Sequence, residues 1–139
     1  MTEAPRTFLD TNILIRFLTN DDPAKADRVD RLLHEAAAGA VLLVTADIVI
    51  AELVWVLESF YHLERKAIRE KVEAILATPG LEVVNGKLVG RAIALYVDFK
   101  VDFIDGYIAA LMEKMDISGI YSFDKKHLSR FKLIQRIEP

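Results

Sequence analysis

A chain of 139 residues with 21 acids, 18 Lys and Arg and a formal net charge of −3 is long enough for one continuous core and too short for two full-sized ones, so a single domain spanning residues 1–139 is expected. A sequence pI near 5.6 excludes holding nucleic acid by a global positive field, and any such binding must come from a local basic patch or from bound cations. The absence of cysteine excludes disulfides, thiolate nucleophiles and Cys-ligated zinc, leaving oxygen and nitrogen chemistry.

The first element in chain order is TFLD, a short buried-strand candidate, and Asn12 to Leu18 turns straight into a helix. NDDPAKADRVDRLLHEAAAG offers Asp22 as N-cap, Pro23 at the first helical position, Val29, Leu32, Leu33 and Ala36 on one face, and Gly39 as a stop. VLLVT predicts a second strand, and DIVIAELVWVLESFY a helix apolar nearly all round, which should lie deep. The longest apolar stretch, VLLVTADIVIAELVWVL, is interrupted by Asp47 and Glu52, so no membrane span is expected, and without a secretory leader the reading is cytoplasmic.

Glu64 to Ala77 repeats Ile68, Val72, Ile75 and Leu76 at helical spacing before the Pro79-Gly80 break. LEVV is a third strand, Asn85 a cap for a helix carrying Leu88, Ala92, Leu95, Tyr96 and Phe99, and Asp102 a cap for FIDGYIAALMEKM. GIYSFD predicts a fourth strand, KKHLSRF a short basic helix and KLIQRIE a last strand. Strands alternating with helices predict a mainly parallel sheet covered on both faces, a three-layer α/β/α domain whose ligands lie beyond the carboxyl ends of the strands.

That rule directs attention to the acids. Asp10 ends the first strand, Asp124 ends the fourth, and Glu52 lies in the early turns of the helix after the second; Asp105 joins them if its helix lies across the sheet. Each has an ordinary structural explanation. Asp10 and Asp124 are placed to cap the helices that follow, and Asp102 with Asp105 has the i, i+3 spacing of a capping box. Taken singly, these explanations are favoured. Glu52 differs: it is the only charge between Ile48 and Leu57, and a buried unpaired carboxylate costs several kcal/mol unless neutralised or paired. Four carboxylates sharing one small volume would raise one another's pKa unless a counter-charge is present. Mg²⁺ or Mn²⁺, as one or two ions, would supply it, because hard cations prefer carboxylate and water oxygens.

FLDTNILIRFL near the start, DIVIAELVWVL in the middle, DFIDGYIAAL in the last third and YSFDKKHLSRF near the end together resemble the PIN-domain ribonucleases, specifically toxins of the VapC type from toxin–antitoxin pairs. The resemblance runs through essentially the whole chain. It implies a PIN-like α/β/α fold, an acidic cluster of Asp10, Glu52, Asp105 and Asp124, and accessory parts for Asn12 and Ser122 through hydrogen bonding. Asp102 is read as a cap first and an accessory ligand second. It further implies a metal-dependent endoribonuclease acting on RNA, forming a homodimer and silenced by a cognate antitoxin protein. The apolar excess, 53% of residues, is compatible with both contacts.

A carboxylate-held divalent cation makes water a better nucleophile and stabilises charge on the attacked phosphate. A metal-free route through the RNA 2′-OH would want paired acid–base groups, often histidines, whereas His34, His62 and His127 are scattered. Lys125, Lys126, His127, Arg130 and Lys132 follow Asp124 directly, and Arg16 lies beyond the first acid; RNA-backbone contact and a solvated charged face explain this run equally well. Tyr107 and Trp55 are read as core or interface. A haloacid-dehalogenase-type phosphatase needs a second Asp where Asn12 stands, and a receiver domain needs an aspartate where Asn85 and Gly86 follow the third strand. A nuclease acting on structured DNA and a non-catalytic PIN-like binding module remain as alternatives.

Overall fold

Strands β1 (Arg6–Phe8), β2 (Leu42–Ala46) and β3 (Leu81–Val84) pair in parallel in the order β1-β2-β3, with Thr7 opposite Leu43 and Val44 opposite Glu82. Parallel neighbours require crossover connections. Here α1 (Thr11–Leu18) and α2 (Pro23–Ala37) join β1 to β2, and α3 (Asp47–Ser59) and α4 (Arg65–Leu76) join β2 to β3. The structure, a computed structural model, describes residues 4–139, which divide into a first unit ending at Gly86 and a second from Lys87 to Pro139.

The first unit follows its local signals closely. Asp22 Oδ1 accepts the Lys25 N–H at 3.2 Å with Pro23 opening α2, and Gly39 beyond its end takes a φ of +85°. Leu43, Ile50, Leu53, Ile68, Val72 and Ile75 are at most 1% exposed, so sheet and helices share one apolar core. Gly80 turns the chain into β3 at φ +77°, where a Cβ would stand 2.4 Å from the Ala36 carbonyl oxygen. Only glycine fits that approach.

Helix α3 is not buried all round. Val49, Ile50, Leu53, Val54 and Leu57 face the core, while Ile48, Glu52 and Trp55 form an outward stripe, with Ile48 77% and Trp55 66% exposed. The cause is geometric: a helix laid against a sheet covers one side of itself, whatever the composition of the other.

In the second unit, α5 (Gly86–Asp98) and α6 (Phe103–Lys114) precede β4 (Gly119–Tyr121) and β5 (Gln135–Ile137), which pair in parallel with Ile120 opposite Arg136. Gly106 sets the approach of α6 to α5, since a Cβ there would come within 2.8 Å of the Ala92 carbonyl oxygen. The architecture is of the three-layer α/β/α class with mainly parallel strands. No helix among the described residues is long and apolar enough to cross a membrane.

Three further local expectations give way. β1 is not a buried strand: its three residues are exposed, and burial begins only at Leu9 just beyond it. Asn85 does not cap α5; its backbone is left-handed at φ +59° and its side-chain amide donates to Asp47 Oδ2 at 3.0 Å. KKHLSRF forms only a single 3₁₀ turn, Leu128–Arg130. Side chains take the backbone groups a longer helix would need: Asp124 Oδ1 accepts the N–H groups of Lys126 and His127, and Ser129 Oγ donates to the carbonyls of Lys125 and Lys126.

Candidate active site

Asp10 stands two residues beyond the end of β1. The chain there is pinned from both sides, because Leu9 N–H donates to the Val44 carbonyl at 2.7 Å and the buried Thr45 hydroxyl donates to the Leu9 carbonyl at 3.1 Å. Asp10 is the N-cap of α1, its backbone extended and its Oδ1 accepting the Thr11 N–H at 2.8 Å. One oxygen is left exposed to solvent. The neighbouring strand β2 runs into Asp47, whose Oδ1 accepts the Ile48 N–H at 2.9 Å and whose Oδ2 takes the Asn85 amide. Along this carboxyl edge of the first unit, Asp47 is therefore held by local bonds at both oxygens and Asp10 at one.

Glu52 departs from its expected environment. Its apolar sequence neighbours predict burial, but Glu52 is exposed on the outer stripe of α3, so water solvates its charge and no partner is required.

The second unit gathers its acids more tightly. Asp105 lies in the first turn of α6 and is half-buried. Asp124 lies three residues past β4, its own N–H bonded to Ser122 Oγ at 3.0 Å and its Oδ1 accepting the N–H groups of Lys126 at 2.9 Å and His127 at 3.1 Å. One ligating atom each from Asp105, Asp124 and His127 lie within 4.8 Å of one another. Asp102 occupies the N-cap position of α6, yet its side chain makes no capping bond; the i, i+3 capping box is not formed.

Electrostatics separate the two carboxylates of this cluster. Burial holds the Asp105 carboxyl above its ordinary range, the charges of Asp102 and Asp124 raise it further, and His127 partly offsets them. Asp124 is held below its ordinary range, first by the backbone N–H groups of His127 and Lys126 and then by the His127 ring. Burial and neighbouring negative charge thus disfavour the ionised form of Asp105, whereas the bonds it accepts favour that of Asp124.

His127 is the member that sequence reasoning did not assign to the cluster, having counted it with the cations after Asp124. Its Nδ1 lies 3.3 Å from Asp124 Oδ2. The signal was present as the spacing Asp-x-x-His, which folds both side chains of a single turn to one side. Of the remaining basic residues, Lys125 and Lys126 are exposed beside Asp124, with Lys125 4.0 Å from Glu138. The Arg130 guanidinium is occupied by the carbonyls of Phe99 and Lys100 just after α5. In the first unit Arg16 pairs with Asp21 at 2.7 Å and lines a cleft with Asn12, Lys25 and Arg28.

The second-unit cluster fits a small divalent cation by its donor chemistry. Donors bound to one such ion at about 2.0–2.6 Å lie no more than about 4–5 Å apart, which matches the 4.8 Å spread of two carboxylate oxygens and an imidazole nitrogen.

Parallel strands and the helices that join them, with carboxylates just beyond the ends of β1, β2 and β4, define an α/β domain with acidic strand ends. Residues 7–133 match the family model of the PIN domain, and the chain belongs to that family. It is 31% identical, over 85% of its own length and 87% of the relative's, to a VapC ribonuclease of Aquifex aeolicus (strain VF5). It also aligns with the crystal structure of VapC20 of Mycobacterium tuberculosis, a sarcin-ricin loop cleaving toxin, at 21% identity, covering 88% of this chain and 93% of that one, with a TM-score of 0.38.

Proposed function

We propose that the chain is a divalent-cation-dependent endoribonuclease that hydrolyses RNA phosphodiester bonds as the toxin of a toxin–antitoxin pair, working as one domain over residues 1–139. The observation that carries this reading is the Asp105, Asp124 and His127 cluster, present in a PIN-domain chain that is 31% identical to a VapC ribonuclease. Asp10, Glu52, Asp105 and Asp124 are its acidic set, and Mg²⁺ or Mn²⁺ its cofactor.

When bound, the cation supplies a more acidic water and neutralises charge building on the attacked phosphate. The chain's own residues do the rest. Asp105 and Asp124 present oxygens; Ser122 Oγ accepts the Asp124 N–H and holds its backbone, and the N–H groups of Lys126 and His127 fix the direction in which that carboxylate faces. Asp10 keeps an oxygen free because a single backbone N–H satisfies the other. The exposed ammonium groups of Lys125 and Lys126 contact RNA phosphates beside Asp124, an interaction that positions the strand without reading its sequence.

A homodimer and a protein antitoxin complete the assignment, acting in the cytoplasm. The exposed apolar side chains Ile48, Trp55 and Phe60, 77%, 66% and 70% exposed, give such partners a surface to cover. The test is cleavage of matched RNA and DNA strands in Mg²⁺ or Mn²⁺, with chelator as control. Cutting of RNA that stops on chelation is the expected result; preferential cutting of DNA, or cutting that survives chelation, overturns the reading.

A further inference from the structure

The Asp105 and Asp124 carboxylates are joined by a nitrogen donor. His127 is half-buried, and its backbone is fixed on both sides: its N–H is bonded to Asp124 Oδ1 at 3.1 Å and its carbonyl accepts the Arg130 N–H at 3.1 Å. The next residue, Leu128, is 4% exposed and anchors the turn. With so short a tether the ring is held against the acids, where one of its nitrogens comes within 4.8 Å of a carboxylate oxygen from each of Asp105 and Asp124. Nδ1 lies 3.3 Å from Asp124 Oδ2, a hydrogen bond only when Nδ1 carries the proton; in the other tautomer that nitrogen presents a lone pair beside the two carboxylates.

Mg²⁺ demands hard oxygen donors and keeps its waters, whereas later divalent ions take imidazole more readily, and Mn²⁺ stands between these extremes. We propose that His127 is a nitrogen ligand of the cation held by Asp105 and Asp124, and that it biases the site toward Mn²⁺ over Mg²⁺. The inference rests on the cation-dependent reading above and goes beyond it in naming a ligand and a selectivity.

The experiment is pulsed electron paramagnetic resonance on the full chain loaded with Mn²⁺, beside calorimetric titration with Mn²⁺ and with Mg²⁺. The chain contains three histidines, and His34 and His62 are both exposed. The double variant His34→Asn/His62→Asn therefore leaves His127 as the sole imidazole with little risk to folding. It should keep the ¹⁴N modulation of the bound Mn²⁺ seen in the parent chain. His127→Asn should lose that modulation, weaken Mn²⁺ at least about tenfold, since loss of even an outer-sphere partner costs about that much, and change Mg²⁺ affinity far less. If the double variant binds Mn²⁺ without imidazole modulation, His127 is only a partner of Asp124 and the inference falls while cation binding stands. If the parent chain binds neither ion, the cation-dependent reading falls first. Should His127→Asn fail to fold, the double variant decides the question by itself.

Discussion

Asp10 in the first unit and Asp124 in the second both follow a strand, and both accept backbone N–H groups. Asp10 takes one, from Thr11, and faces solvent with the other oxygen. Asp124 takes two at Oδ1, has the His127 ring against Oδ2, and shares its surroundings with Asp105 and Asp102. The difference teaches where capping ends as an explanation. A cap accounts for all that Asp10 does within its unit, but the backbone bonds of Asp124 do not explain why a second carboxylate is kept beside it against its own electrostatic preference.

The largest expected effect separates capping from chemistry. Asn caps helices about as well as Asp, and its side-chain oxygen can still accept the N–H groups now bonded to Asp10 and Asp124. Asp10→Asn should therefore melt near the parent temperature and Asp124→Asn somewhat below it, because the fold favours the ionised form of Asp124, while both lose RNA cleavage by about 10²-fold or more, as expected when a cation's acids are removed. Unchanged cleavage in either variant would reduce that residue to a cap. Glu52→Gln sharpens the same contrast, since an exposed side chain with no structural duty should lose activity alone.

Alanine exposes the structural share next. Asp10→Ala should cost about 0.5–2 kcal/mol in denaturant titration, and Asp124→Ala, which strips two backbone N–H groups of their acceptor, should lower Tm further than Asp10→Ala does. Equal losses at the two positions would break the comparison. Asp22, whose Oδ1 bonds the Lys25 N–H at the start of α2, calibrates both. Asp22→Ala should cost about 1 kcal/mol and leave cleavage unchanged, because nothing about that residue goes beyond its helix.

Much of this contrast could be read from the sequence in the first unit and much less in the second, for a physical reason. Periodicity and punctuation locate elements built by backbone ladders: Pro23 after Asp22, Gly39 past α2, and alternation of strand and helix all report local preferences that the fold keeps. Burial is a property of the assembled layers, which is why Glu52, surrounded in sequence by apolar residues, still faces solvent. After β4 the structure is made by side chains bonding backbone, Asp124 to Lys126 and His127 and Ser129 to Lys125 and Lys126, and those bonds replace the helix that KKHLSRF suggests. The same turn brings His127 to the acids, so the residue missed by pattern was hidden by the feature that pattern misjudged.

The smallest effect tests the crowding itself. The Asp105 carboxyl is raised above its ordinary value of 3.8, mainly by burial and then by Asp102 and Asp124. A raised carboxyl means that the folded state resists ionisation more than the unfolded state does, so ionised Asp105 opposes folding at neutral pH. That opposition is fully present above the folded pKa and disappears as pH falls through it toward 3.8. In chelator at neutral pH, Asp105→Asn should accordingly melt slightly above the parent chain, with the advantage fading as the solution is acidified. Asp124 has the opposite sign: its carboxyl is lowered by the backbone N–H groups it accepts, so its contribution is present above the ordinary carboxyl range and lost as pH falls through the lowered value. Adding Mn²⁺ at neutral pH should reverse the order of the first pair, because a ligand that binds only the folded parent raises its stability while the variant lacks one of the oxygens that would hold it. If Asp105→Asn is instead the less stable protein in chelator at neutral pH, the carboxylate is making a structural bond and the second unit's acids are no more crowded than those of the first.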